Sequence, residues 1–189
     1  GDSRLVRCWS CGLVVGSEAC LRPVGVPARS LADNALLTAA VEWLVDGGMP
    51  RRRRVLSFAR NVLDRFKVRC GGAGSAAGSL SGGNLQKYII GREACQSPSL
   101  LVASHPTWGV DVGSAVAIHK ALVRLRDEGA AVLLISEDLD ELYQLCNRIG
   151  AICQGRLSPQ VDTGTLSINQ LGRWMAGDFV QEGGRDVAA

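Results

Sequence analysis

The sequence predicts an α/β fold, with a mostly parallel sheet covered by helices and a small helical subdomain ahead of it. Three observations predict this. Short, uniformly apolar runs such as "SLLVAS" and "AAVLLIS" alternate with helix-period segments in the second half of the chain. Before them stand two segments of helical period with capping residues. Between the two regions lies "RCGGAGSAAGS", Arg69–Ser79, a Gly/Ser-rich connector without either period.

In residues 1–29, "GLVVG" has the look of a short strand and "LRPVGVPARS" of a loop. Ser30 with Asp33 three places on is a variant capping box. It predicts a helix through "LADNALLTAAVEWLVDGG" that stops at Gly47–Gly48. After Pro50 a second helix is expected from Arg51 to Phe66, because Val55, Phe58, Ala59, Val62, Leu63 and Phe66 fall on one face. The glycines at 82 and 83 precede a helix over Asn84–Cys95. "SLLVAS" is a buried strand, "VGSAVAIHKALVRLRDEG" a helix closed by Gly129, and "AAVLLIS" a second buried strand. Asp138 caps a helix over "DLDELYQLCNR". "IGAICQGRLSP" is a strand, a tight turn at Gln154–Gly155 and a return strand, and "INQLGRWMAG" is a last short helix.

Composition narrows the function classes. The 189 residues suffice for one sizeable domain, with 47% apolar and 21% charged residues as in an ordinary globular protein. A net charge of +3 gives no case for nucleic acid. The run Arg51–Arg54 is a solvated helix turn or, on a sharper reading, an interaction patch. Seven cysteines include one C-x-x-C, Cys8 and Cys11, but His105 and His119 complete no zinc pattern. Cys95, Cys146 and Cys153 lie in apolar segments and are expected to be small buried hydrophobes in a reducing compartment. No apolar run approaches the ~20 residues that span a bilayer. Without a signal-like start or an initiator Met, the chain is expected to be an excerpt of a longer one.

The chemistry-bearing feature is "GSLSGGNLQKYIIGRE", Gly78–Glu93. A helix starting at two glycines offers free N–H groups and the positive end of its dipole to an anion. Gln86 and Lys87 add a donor and a charge one turn in. On geometry alone, Gly82–Gly83 could equally be a flexible joint.

"LSGGNLQK", Leu80–Lys87, resembles the signature motif of ABC-type ATPases, in the form found in sugar and nucleoside importers. "LLVASHPTWGVDVG", Leu100–Gly113, resembles the Walker B strand and D-loop. "VLLISEDLDELYQLCNRIGAICQGRL", Val132–Leu157, resembles the switch strand, its adjoining helix and the next strand. "SLADNALLTAA" resembles the opening of the family's helical subdomain. The whole is similar to the second nucleotide-binding domain of a tandem importer ATPase, truncated upstream of the signature region. The resemblance implies a partial P-loop NTPase fold. It places a core remnant around the Q-loop in 1–29, the helical subdomain and connector in 30–79, the ATPase core in 80–176 and a tail in 177–189.

In this family two domains clamp two ATP molecules, each under the signature turn of the opposite domain. The resemblance therefore assigns nucleotide contact to Ser81, Gly82, Gly83, Asn84 and Gln86, and an interface role to Asp111. It implies ATP and Mg²⁺ in the full assembly. The implied partners are a second nucleotide-binding domain, a transmembrane permease and, indirectly, a solute-binding protein, with no nucleic acid. The implied location is peripheral, on the cytoplasmic face of the membrane.

Several positions depart from the family pattern. The Walker B Asp-Glu is replaced by Ser104 and His105. Serine brings no charge to magnesium, and histidine accepts a proton near neutral pH but with a different reach. The switch histidine is Glu137, which would repel a γ-phosphate. Glu18 stands nearest the Q-loop position. These departures imply a half that hydrolyses nothing itself and completes its partner's site. The alternatives are an inactive permease-docking fragment and a soluble ABC-class ATPase.

Overall fold

The computed structural model describes residues 25–38, 44–46 and 49–179. They fall into two compact units, parted between Glu137 and Asp138.

In the first unit, helix α1 spans Leu31–Ala35. It opens where Ser30 Oγ accepts the Asp33 N–H at 3.0 Å. Asn34 is buried and fully used. Its Nδ2 donates to the carbonyls of Val26, Arg29 and Ser30, and its Oδ1 accepts from Val26 N. The expected continuous helix to Gly47 does not form. Leu36 ends α1, and Val45–Asp46 (β1) pairs antiparallel with Met49–Pro50 (β2). Pro50 favours extended backbone in the residue before it, and β-branched Val45 suits a strand. Residues 39–43 lie outside the described residues.

Helix α2, Arg52–Arg65, buries Val55, Phe58, Ala59, Val62 and Leu63, one stripe of an amphipathic pattern. It ends with Lys67 in the left-handed region (φ 49°) and Val68 N donating to Leu63 O at 2.9 Å. Helix α3, Gly82–Ala94, packs against it, and Gly91 makes the approach possible. A Cβ there would come within 2.6 Å of the Phe66 ring. The Tyr88 hydroxyl donates to Leu31 O in the core, and burial pushes its pKa far up. Arg92 and Glu93 are buried together. Arg92 Nε donates to Glu93 Oε1 at 2.7 Å and its guanidinium to Asn34 O at 3.0 Å, while Thr38 and Gln96 also donate to Glu93. This buried polar set ties α3 to α1.

Strands β3, Leu100–Ser104, and β4, Ala131–Ile135, form a parallel ladder in register from Leu100↔Ala131 to Ser104↔Ile135. The crossover is helix α4, Val112–Asp127, followed by Gly129 at φ +97°. Apolar strands suggest cover on both faces, but β4 has no second neighbour among the described residues. Leu133 is 53% and Ile135 43% exposed.

In the second unit, Asp138 Oδ1 accepts the Glu141 N–H at 3.2 Å and starts α5, Leu139–Leu145. Four two-residue strands come next. Arg148–Ile149 (β5) pairs with Val161–Asp162 (β8), and Ile152–Cys153 (β6) with Arg156–Leu157 (β7), all antiparallel. Gln154 and Gly155 both take positive φ (49° and 75°), as the tight turn between β6 and β7 requires. Helix α6, Ile168–Met175, starts at Ser167 and buries Leu171 and Trp174 with Ile149, Ala151 and Leu166. The free cysteines Cys70, Cys95, Cys146 and Cys153 are half-buried rather than sunk in a core. Burial pushes the Cys95 and Cys146 thiols up, so they resist ionisation.

Candidate functional site

The Gly82–Gly83 turn is the first turn of α3, with Ser81 as its N-cap residue in extended conformation. The helix starts two residues before the expected Asn84, so both glycines are helical. The Ser81 side chain does not cap this helix, and no acidic residue stands in its first turn. Ser81 Oγ instead accepts from Asn84 Nδ2 at 2.9 Å, and Asn84 Oδ1 takes the Arg69 N–H at 2.9 Å. Asn84 is thus held from both ends of its amide, and it pins the connector to the turn.

The two glycines differ. Gly82 is exposed, and a Cβ on it would meet only Gly109 O at an ordinary 3.7 Å. Gly83 is buried, and a Cβ on it would lie 2.8 Å from Ser114 Oγ and 2.9 Å from Asp111 Oδ2. The turn therefore has an outer side, Ser81 and Gly82, and an inner side seated on the start of α4.

That start is rigid for a local reason. Asp111 is the N-cap of α4. Its Oδ1 accepts the Ser114 N–H at 2.9 Å and its Oδ2 the Ser114 hydroxyl at 2.7 Å. The Ser114 hydroxyl, then its backbone N–H, hold the Asp111 carboxyl below its ordinary value, with Lys87 adding to the effect. The carboxylate's charge is turned toward its own helix. The sequence singles out Asp111 but not Ser114, although an Asp with a Ser three places on is cap spacing.

The remaining sequence-predicted positions are dispersed. Ser104 closes β3 opposite Ile135. His105 is next, in the left-handed region (φ 47°), with its N–H donating to Ile135 O at 2.7 Å and its ring edge-on to Trp108, 6.1 Å between centroids. Glu137 is exposed two residues past β4. Gln86 is half-buried, with its Oε1 enclosed and unpaired. Glu18 lies outside the described residues. Among the described residues no three His, Cys, Asp or Glu side chains cluster as a metal would need. Ser104 and His105, which stand where the resemblance implies the Walker B carboxylates, have none to offer Mg²⁺. The start of α3 fits one end of a phosphate, because its N–H groups lack a side-chain cap and stand beside the exposed Ser81.

No protein-family model matches the chain. It is 44% identical over 129 residues to the nucleoside import ATP-binding protein NupA of Lactococcus lactis subsp. cremoris, 68% of this chain and 26% of that protein. It is 40% identical over 138 residues to the guanosine import ATP-binding protein NupO of Bacillus subtilis, 73% of this chain and 27% of that protein. Its fold matches the ATP-binding cassette MJ0796, solved as a dimer bound to ADP and Pi in a post-hydrolysis state. That match has a TM-score of 0.69 at 20% identity, over 86% of this chain and 68% of that one. The chain is part of an ABC ATP-binding domain. It spans about a quarter of the length of the import proteins it matches.

Proposed function

We propose that this part of an ABC domain serves an importer of simple sugars or nucleosides by presenting its signature turn to ATP held on another nucleotide-binding domain. The observation that carries the reading is the outward face of the turn. Ser81 and Gly82 are exposed, the first N–H groups of α3 lack a side-chain cap, and Gly83 anchors the inner side. Such a turn supplies hydrogen-bond donors and positive potential to a γ-phosphate, in a geometry fixed before the phosphate arrives. ATP brings the phosphoanhydride whose cleavage the family couples to transport. This chain's own task is to orient and neutralise the terminal phosphate. Ser104, His105 and Glu137 carry no Walker B carboxylate pair and no switch imidazole, which supports a half that completes another domain's site.

The remaining partners belong to the same reading: a transmembrane permease that the closing clamp moves, and a solute-binding protein that feeds it. The location in this reading is peripheral, at the cytoplasmic face of the membrane; among the described residues no helix is long and apolar enough to cross one. The test is nucleotide-dependent association. Mixed with a domain bearing a P-loop, wild type should form a heterodimer on sedimentation with ATP and not with ADP. Gly82→Asp should not associate. Association indifferent to nucleotide, or unchanged in the variant, refutes the reading.

A further inference from the structure

Beside the signature turn, within the first unit, lies a groove of about 580 Å³ that the proposed function leaves unused. Its walls are the end of α2 with the adjoining connector, the flank of α3, and the length of α4. Six cations line it: Arg65, Lys67, Arg69, Lys87, Lys120 and Arg124. One carboxylate, Asp111, lines it, and that group is occupied by Ser114.

Among the described residues these charges are only partly met. Glu128 pairs with both Arg65 (3.6 Å) and Arg124 (2.8 Å), so one negative charge serves two positive ones. At the other end, Lys87 Nζ donates to Lys67 O at 3.3 Å and the Arg69 N–H to Asn84 Oδ1. Those contacts tie the backbone at Lys67 and Arg69 to α3 at one end of the groove, where Asp111 is the one carboxylate that acts on Lys87. Lys67 also occupies a left-handed position that glycine would fill with less strain. Between the charges the lining is mixed, with Asn84 and Ser114 beside Phe66, Ala94, Val116 and Leu125. Several cations around a mixed floor, in a volume typical of a small-molecule site, suit a ligand with an anionic end and a small organic body.

We propose that this groove binds the phosphate of a small organic phosphate, with Lys67, Arg69 and Lys87 on the anion and Lys120 on its flank. The same phosphomonoester or oligophosphate chemistry occurs free in solution and on a lipid headgroup. The site is separate from the signature turn's outer face, and the proposal stands whether or not that face meets ATP.

The test uses the full chain at low ionic strength, where exposed charges are least screened. Inorganic tripolyphosphate is titrated by calorimetry, and vesicles containing phosphatidic acid are tested by flotation. Wild type is expected to bind one of the two saturably, and which one identifies the source. Lys67→Gly is the key variant, because it removes a cation while relaxing the backbone, so lost binding cannot be ascribed to misfolding. It should weaken binding about tenfold, as should Lys120→Gln, the scale of a charge-assisted hydrogen bond. Gly82→Asp separates the groove from the turn and should leave the affinity within about twofold. The proposal is overturned if neither probe binds wild type. It is equally overturned if Lys67→Gly and Lys120→Gln bind as wild type does, or if Gly82→Asp alone abolishes binding.

Discussion

The two glycines that open α3, Gly82 and Gly83, should respond to substitution in opposite ways. In Gly83→Ala the new Cβ lies 2.8 Å from Ser114 Oγ, 2.9 Å from Asp111 Oδ2 and 3.2 Å from Ser114 Cβ. Either α3 moves or the Asp111–Ser114 cap opens. Overpacking of this kind costs about 1–3 kcal/mol. Alanine recovers about 0.5–1 kcal/mol of backbone entropy in a helix. Taken at mid-range, the net is a loss of about 1 kcal/mol. Gly82→Ala meets one backbone oxygen at 3.7 Å, so only the entropy term remains and the change is neutral to mildly stabilising. Gly82→Asp adds a carboxylate at a helix N-terminus, worth about 0.3–1 kcal/mol of stability. Yet it sets negative charge where the γ-phosphate is proposed to sit. Urea unfolding of the three variants gives the stabilities, and solute uptake by the full-length protein with its permease gives the function. Gly82→Asp should fold as well as wild type and transport nothing. Gly83→Asp should also fail in transport, for two superposed reasons, which makes it the less informative change. The reasoning is refuted if Gly83→Ala is as stable as wild type, or if Gly82→Asp supports normal uptake.

The chain alone should hydrolyse no ATP above background, since Ser104, His105 and Glu137 offer no carboxylate pair or switch imidazole. Phosphate release abolished by Ser81→Arg would contradict this. The Asp111 carboxyl is held below its ordinary value of 3.8, so its cap contributes fully above that pH and is lost only as pH falls through the lower folded value. A carbon-detected NMR titration should find its midpoint below 3.8, and Ser114→Ala should move the midpoint upward. Tyr88→Phe removes the side-chain hydrogen bond to the Leu31 carbonyl and should cost about 0.5–1.5 kcal/mol in chemical unfolding. A loss under about 0.5 kcal/mol, below the usual range for a buried hydrogen bond, would mean water reaches that carbonyl.

What could be read from the sequence was what local chemistry decides. Ser30, Asp111, Asp138 and Ser167 each cap a helix through a side-chain oxygen that accepts an N–H three residues on, and residue type with spacing announces that. The Gln154–Gly155 turn and the α2 stripe are equally local. The expected helix through Val45 fails because Pro50 holds the chain extended just where a short ladder forms, and helical period alone does not register that. The covered sheet fails differently. An apolar strand states that it wants cover, not that the neighbours are present, and Leu133 and Ile135 are left exposed. In the site, the glycine pair was legible as a helix start, but its division of labour was not. Only the fold brings Ser114, thirty-one places along, under Gly83. The same packing sets the two glycines apart. Gly83 is required by its neighbours in this chain, so its presence says little about a ligand. Gly82 has room for a side chain and lacks one, and that open position is what a closely approaching phosphate would require.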